Sequence, residues 1–230
     1  MNIFKYFYYQ YYRPKIFFPK KSYSMYGEDK YIYNFYKNKL QGFYVDVGAY
    51  HPLEGNNTYL LYKKNKWSGI NIDINLFSIE LFKIARSKDI NLNIGISNSK
   101  KLQAVYFRKN INMLNTLNKK IAKTHFHNGF FKKYIKTDKL SDIIQKTKYK
   151  NKKIDFLNID VEGVELNVLK SLNFKKYDPK LICIEIHNHE EMYNHNTDYL
   201  LRNPIYKFLL AKKYKVVWSY QFSYIFRKNK

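Results

Sequence analysis

From residue 22 onward, short apolar runs alternate with helical stretches of about ten residues, and no other feature of the 230-residue chain limits its fold as strongly. Phe43–Gly48 (FYVDVG), Gly69–Asp73 (GINID), Asn91–Ile96, Ile154–Asp160 (IDFLNID) and Leu181–His187 (LICIEIH) read as strands. The last is apolar almost throughout, as a strand buried on both faces should be. Helices are predicted over Ser24–Lys37, Asn57–Lys64, Leu76–Arg86, Leu140–Lys148, Val164–Leu172 and 197–212. Leu102–Phe107 and Tyr134–Thr137 are strand-like, and Val216–Tyr220 with Phe222–Phe226 reads as a closing antiparallel pair. Strands separated by such helices form βαβ units, so the fold class is α/β, a mostly parallel sheet with helices on both faces. Ligands of these sheets sit outside the carboxyl ends of the strands.

The net charge of +24 would ordinarily suggest a nucleic-acid partner. Only 5 of the 42 basic residues are Arg, the side chain best suited to bidentate phosphate and base contacts. The excess of Lys, Asn, Ile, Tyr and Phe reads instead as codon bias, and nucleic acid is not expected as the partner. Attraction to polyanions and anionic lipid at low salt still follows. One cysteine, Cys183, excludes an internal disulfide and fits a reducing cytoplasmic setting. No apolar run reaches the length of about 18 residues that a transmembrane helix needs, and no signal-peptide pattern opens the chain. Residues 1–21 stand apart as a basic, aromatic arm in which Pro14 and Pro19 break any long helix, while 22–230 read as one domain. Two readings of the arm stay open: peripheral contact with the inner face of an anionic membrane, or packing along the domain as an ordinary tail.

Strand ends carry the polar candidates. Asp46 lies inside an apolar strand that ends at Gly48, where the chain turns sharply. Asp73, 25 residues after Gly48, stands where an acid can accept hydrogen bonds from ribose hydroxyls, although helix capping is the plainer role for such a residue. In order and at this spacing the two strand ends suggest an adenosine cofactor. The stretch after Gly48, Ala49-Tyr50-His51-Pro52-Leu53-Glu54, lacks the glycines that bring backbone N–H groups onto a pyrophosphate. A nucleoside cofactor without phosphates, S-adenosylmethionine, therefore fits better than a dinucleotide.

SYSMYGED (22–29), GFYVDVGAYHPLEGNNTYLLY (42–62), WSGINIDIN (67–75), NLNIGIS (91–97), LNTL (114–117), IDFLNIDVEGVELNVLKSL (154–172) and PKLICIEIH (179–187) together resemble the FkbM-type methyltransferases. The resemblance departs at Met25, where the family pattern has Gln. It implies a Rossmann-like class I methyltransferase fold, a seven-stranded sheet with a reversed last strand, and methyl transfer from S-adenosylmethionine to a hydroxyl oxygen. A sugar of glycan or lipid-linked saccharide assembly is the expected acceptor.

For cofactor binding the candidates are Asp46, Gly48 and Ala49 at the methionine end, Asp73 at the ribose, and Ile96 and Ser97 beside the adenine. Glu28 either closes over the methionine amine or stabilises a helix N-terminus, and Asn57 and Thr58 either touch the cofactor or cap a helix. Asp160 and Glu162 point to one side of a strand end and are the expected catalytic carboxylates, since paired acids can raise one pKa into a usable range. His187 is the candidate base or acceptor ligand. Glu185, His187 and His189 share a face if their strand continues, and such a set can hold a metal, but a solvated loop is commoner and no metal is assigned. Asn115 and Thr116 match a family motif and are candidates for acceptor or cofactor contact. His125, His127 and His195 receive no role, and Cys183 reads as a buried small hydrophobe. Rival readings are a nucleic-acid methyltransferase, disfavoured because DVEG replaces the aromatic motif used around a flipped base, and a non-catalytic polyanion-binding module on the same fold.

Overall fold

A computed structural model describes residues 3–15, 20–108, 112–187 and 197–229. The chain runs through α1 (Ile3–Phe7), a π-helical turn (Tyr8–Tyr12), α2 (Glu28–Tyr36), β1 (Phe43–Val47), α3 (Tyr59–Asn65), β2 (Ser68–Asp73), α4 (Leu76–Ala85) and β3 (Ile90–Asn93). There follow β4 (Gly95–Ile96), β5 (Lys101–Phe107), α5 (Lys119–His125), β6 (Phe131–Asp138), α6 (Leu140–Gln145), β7 (Phe156–Ile159), α7 (Glu165–Lys170) and α8 (Phe174–Tyr177). It closes with β8 (Leu181–Glu185), α9 (Thr197–Arg202), α10 (Pro204–Ala211), β9 (Tyr214–Tyr220) and β10 (Ser223–Lys228).

Seven strands form the main sheet in the order β3-β2-β1-β7-β8-β10-β9. The first five pair in parallel, and β10 runs antiparallel to both β8 and β9. This is the expected Rossmann-like sheet with its reversed last strand. Side-chain alternation divides each strand between two layers. Phe43, Val45, Val47, Leu157, Ile159, Ile182 and Ile184 pack beneath α6, α7 and α10. Tyr44, Phe156, Leu181 and Cys183 face Ile32 and Tyr36 of α2 and Leu61 of α3. The order reverses between β1 and β7, so the carboxyl ends of β1, β2, β7 and β8 open onto a common crevice.

An Asn-rich chain uses Asn to start its helices: Asn75, Asn118, Asn173 and Asn203 each accept a backbone N–H at the N-terminus of α4, α5, α8 and α10. Asn203 with Pro204 at the first position divides the helix predicted over 197–212 into α9 and α10. The helix predicted from Ser24 begins at Glu28, because the Ser24 hydroxyl instead accepts from Gly27 N and Asp29 N to close a turn before it. The third predicted strand breaks at Ile94: its first half joins the main sheet, and Gly95–Ile96 pairs with β6. β4, β6 and β5 form a separate three-stranded sheet that the sequence reading did not separate. Its bridge from Tyr106 to Thr116 ties the 112–117 segment to the crevice.

The described part of the N-terminal arm packs against α4 and the loop after β1. The Tyr6 and Tyr9 rings meet Phe77 edge-on at 4.7 and 5.5 Å. Arg13 donates to the Tyr50 hydroxyl at 2.6 Å, and His51 Nε2 stands 2.8 Å from the Tyr9 carbonyl. Ile3, Phe4, Phe7, Tyr8 and Tyr12 stay exposed on the outer side. Pro19 lies outside the described residues. Among the described residues no helix is long and apolar enough to cross a membrane.

Candidate active site

β1 and β7 approach most closely where both strands end. Gly48 has φ +81°, and a Cβ placed there would lie 1.6 Å from the Asp160 carbonyl oxygen. No side chain fits between the two backbones, so the turn after β1 passes directly over the turn after β7. On one side of this contact lies a narrow cleft, lined by Gly48, Asp73, Ile74, Ile96, Asn115 and Asp160 among others. On the other side lies a larger cavity of about 240 Å³. The two share Gly55, Met113 and Asp160.

In the cleft, Asp73 accepts from Tyr50 N at 2.8 Å through one oxygen and from Asn75 N at 2.7 Å through the other. Burial pushes its carboxyl up to about 6, against the lowering effect of those two backbone donors. Each oxygen keeps an acceptor position beyond its backbone partner. The Asn115 side-chain oxygen is buried in the same cleft without a hydrogen-bond partner. Ile72, Ile74 and Ile96 supply apolar walls.

The cavity is built on the DVEG turn. Glu162 adopts φ +56° and Gly163 φ +93°, so a non-glycine residue is held in the left-handed region at the site. Thr116 Oγ1 donates to the Glu162 carbonyl at 2.6 Å, Asn118 Nδ2 donates to the Gly163 carbonyl at 3.4 Å, and Gly163 N donates to Glu165 Oε1 at 2.8 Å. This scaffold aims the Glu162 carboxyl inward, where it is 6% exposed. Its Oε2 lies 3.7 Å from His125 Nε2 and 3.8 Å from His187 Nε2 and has no hydrogen-bond partner. Burial, then the nearby Asp160 and Glu185, push Glu162 up to about 9.

Asp160 and Glu185 share a hydrogen bond. Two carboxyl groups can do so only if one keeps a proton. The pair therefore holds one proton between them: Asp160 is raised well above the usual range first by burial and then by Glu185, and Glu185 is pushed up to about 7, again chiefly by burial. Glu185 Oε2 is also 2.8 Å from His187 Nε2. Burial lowers His187, whose ring lies 5.0 Å from Phe222.

The predicted residues fall into three groups. Gly48, Asp73, Ile96 and Asp160 line the cleft, and Glu28, Asn57, Asp160, Glu162 and His187 line the cavity. Glu28 is therefore beside the catalytic candidates and not beside Asp73; its carboxylate accepts from Tyr26 N at 2.8 Å. Asn57 donates to Asn158 Oδ1 at 2.9 Å. The remaining four line neither space. Asp46 is wholly buried, with its carboxylate held by Asn158 Nδ2, Asn56 Nδ2 and Thr58 Oγ1 at 2.9, 3.2 and 3.0 Å. Thr58 also accepts from Arg86 at 2.7 Å. Ala49 is locked by N–H donation to Ile72 O, and Ser97 Oγ accepts from Gln103 at 3.1 Å. Asp46, Ala49 and Thr58 hydrogen-bond around the turn after β1, and Ser97 N donates to the Asp138 carbonyl at the second sheet. His189 lies outside the described residues. The sequence reading gave no role to His125, which α5 carries to the Glu162 carboxyl, and the signal that could have found it is the LNTL motif that anchors the start of that helix.

No curated protein matches the chain. Among solved structures, the 16S rRNA methylase ArmA is 12% identical, with 88% of this chain and 82% of that chain covered at a TM-score of 0.36. The model of the methyltransferase FkbM domain matches residues 46–212. That stretch runs from β1 through α10 and contains the cleft, the DVEG turn and the carboxylate–histidine cluster. The chain belongs to the FkbM methyltransferase family.

Proposed function

We propose that the protein is an S-adenosylmethionine-dependent O-methyltransferase acting on a hydroxyl of a neutral sugar. The observation that carries the reading is the composition of the cavity beside the cleft. In a chain of net charge +24, its lining includes Glu28, Asp160, Glu162 and Glu185 and, among the described residues, no Lys or Arg. Such a surface offers a phosphate no cationic partner and gives hydroxyl groups carboxyl oxygens to bond with. Tyr26 and Phe222 add aromatic faces on which the apolar side of a sugar ring can rest.

The cleft suits a nucleoside. Asp73 offers acceptor positions to ribose hydroxyls, the unpartnered Asn115 oxygen can take an N–H, and the isoleucines flank a base. The cleft encloses only about 40 Å³, while small-molecule sites run about 300–1,000 Å³. A bound nucleoside therefore needs a wider cleft than this one. When bound, S-adenosylmethionine supplies a methyl group already activated on a sulfonium. Asp160, common to both spaces, marks the place where acceptor oxygen and methyl carbon meet. The cavity walls hold the acceptor oxygen in line and exclude water. As the new O–C bond forms, the hydroxyl proton passes to the Glu185–His187 pair, 2.8 Å apart, whose carboxyl lies near 7 and whose imidazole is kept neutral by burial. Glu162, raised to about 9, keeps its own proton and orients the acceptor beside them.

The test is methyl transfer from labelled S-adenosylmethionine to a panel of neutral oligosaccharides, lipid-linked saccharides and RNA. Methylation of a saccharide hydroxyl that is lost in His187→Ala supports the reading; methylation of RNA alone overturns it. The exposed outer side of the arm, with Phe4 and Phe7 beside a strongly basic chain, further supports peripheral contact with anionic membrane, where lipid-linked acceptors reside. Co-sedimentation with anionic but not neutral vesicles, weakened by Phe4→Ser with Phe7→Ser, is the expected result. Equal sedimentation of the wild type with both vesicle types would refute it.

A further inference from the structure

We propose that Glu162, Glu185 and His187 form a binding site for a divalent transition-metal ion, Zn²⁺ or Mn²⁺, on the wall of the acceptor cavity. One ligand atom from each of the three lies within 4.8 Å of the other two. Glu185 Oε2 and His187 Nε2 are 2.8 Å apart, and Glu162 Oε2 and His187 Nε2 are 3.8 Å apart. An ion bound at about 2.0–2.2 Å to each donor spaces tetrahedral ligands about 3.3–3.6 Å apart, so carboxylate rotations of about 1 Å bring the three donors onto one ion.

Independent support comes from Glu162 itself. Its Oε2 is buried and unpartnered on a side chain 6% exposed, held there by a left-handed backbone that Thr116 fixes. A buried acceptor without a partner costs about 1–3 kcal/mol, and a bound cation is the partner that removes this cost. Asp160 supplies the outer hydrogen bond that orients Glu185, the usual companion of a ligating carboxylate. His125 Nε2, 3.7 Å from Glu162 Oε2, lies outside this set, which leaves a fourth position open to the acceptor. Two carboxylates with one imidazole favour a first-row ion over Mg²⁺ or Ca²⁺, which prefer oxygen throughout.

The placement of the site does not depend on the activity; its role does rest on the methyltransferase reading. With the ion present, Glu162 acts as a ligand. The ion takes the acceptor hydroxyl oxygen, and the proton of that more acidic O–H leaves to His125 as the O–C bond forms.

The test uses full-length protein freed of metal by a chelator. Zn²⁺ is titrated calorimetrically, and Mn²⁺ by loss of the free-ion paramagnetic signal. One site per chain is expected, weakened at least tenfold in Glu162→Gln and in His187→Ala and unchanged in His127→Ala, an exposed histidine outside the cluster. Circular dichroism and S-adenosylhomocysteine binding check that the variants are folded. No saturable site for either ion, or a site that survives both cluster substitutions, overturns the proposal. Ion binding without S-adenosylhomocysteine binding would leave this site standing and sink the methyltransferase reading; the converse would sink the site alone.

Discussion

Replacing Gly48 by Ala should disrupt the point from which both spaces of the active site are built. The added Cβ would lie 1.6 Å from the Asp160 carbonyl oxygen and 2.6 Å from its carbon, both of them backbone atoms without a rotamer to escape into. The left-handed φ of +81° alone costs an L-residue about 1–2 kcal/mol. Relief of the clash requires β1 and β7 to part by more than about 1 Å at their ends, an overpacking strain of about 1–3 kcal/mol. That movement stretches the bonds from Asp160 N to Val47 O and from Gly48 N to Ile72 O, both 2.9 Å, at about 1 kcal/mol each. The loss should therefore reach about 4–7 kcal/mol, a large part of the roughly 5–15 kcal/mol that holds a domain folded. Urea unfolding followed by circular dichroism measures it. A loss below about 1 kcal/mol would show that the two strand ends are not in backbone contact, and the shared wall of cleft and cavity would have to be redrawn.

Affinity for S-adenosylhomocysteine should fall as the pH drops below about 6, where Asp73 takes up its proton and loses an acceptor position, whereas Asp73→Asn should bind with little pH dependence; calorimetric titration across that range decides. His51 is pushed down to about 4 from 6.5 by burial, while Nδ1 accepts from Leu53 N and Glu54 N. The unfolded chain therefore binds the extra proton first, so the stability His51 contributes is complete above about pH 6.5 and is lost as the pH falls toward 4. The stability difference between wild type and His51→Gln should shrink over that window in urea titrations, and a constant difference would refute it. Thr116→Val should leave the Glu162 carbonyl without its donor, costing about 1–3 kcal/mol of stability and lowering kcat more than it raises KM for the acceptor.

The α/β alternation was legible because each strand of the main sheet is short, apolar and bounded by polar turns, and the strand number and reversed last strand followed from family resemblance. Asp73 and Gly48 were legible for the same reason: strand ends are where such sheets bind. Asp46 was recognised as a carboxylate needing satisfaction, but the groups that satisfy it come from positions 10, 12 and 112 residues away, and no local pattern reveals that they converge. His125 escaped because the helix that carries it begins in a lysine-rich stretch without clear periodicity, and its position depends on a second sheet formed from weakly strand-like segments. The arm's docking was hidden in the same way, since Tyr6 and Tyr9 meet Phe77 only after α4 has packed on the main sheet.

The central claim is that the cleft beside Asp73 holds the nucleoside of S-adenosylmethionine. Calorimetric titration of wild type, Asp73→Ala and Asn115→Ala with S-adenosylhomocysteine tests it most directly, with thermal unfolding to confirm that each variant is folded. The account predicts micromolar binding to the wild type and a loss of tenfold or more, about 1.4 kcal/mol, in Asp73→Ala, with a smaller loss in Asn115→Ala. Absence of binding to the wild type, or equal affinity in all three proteins, would contradict it.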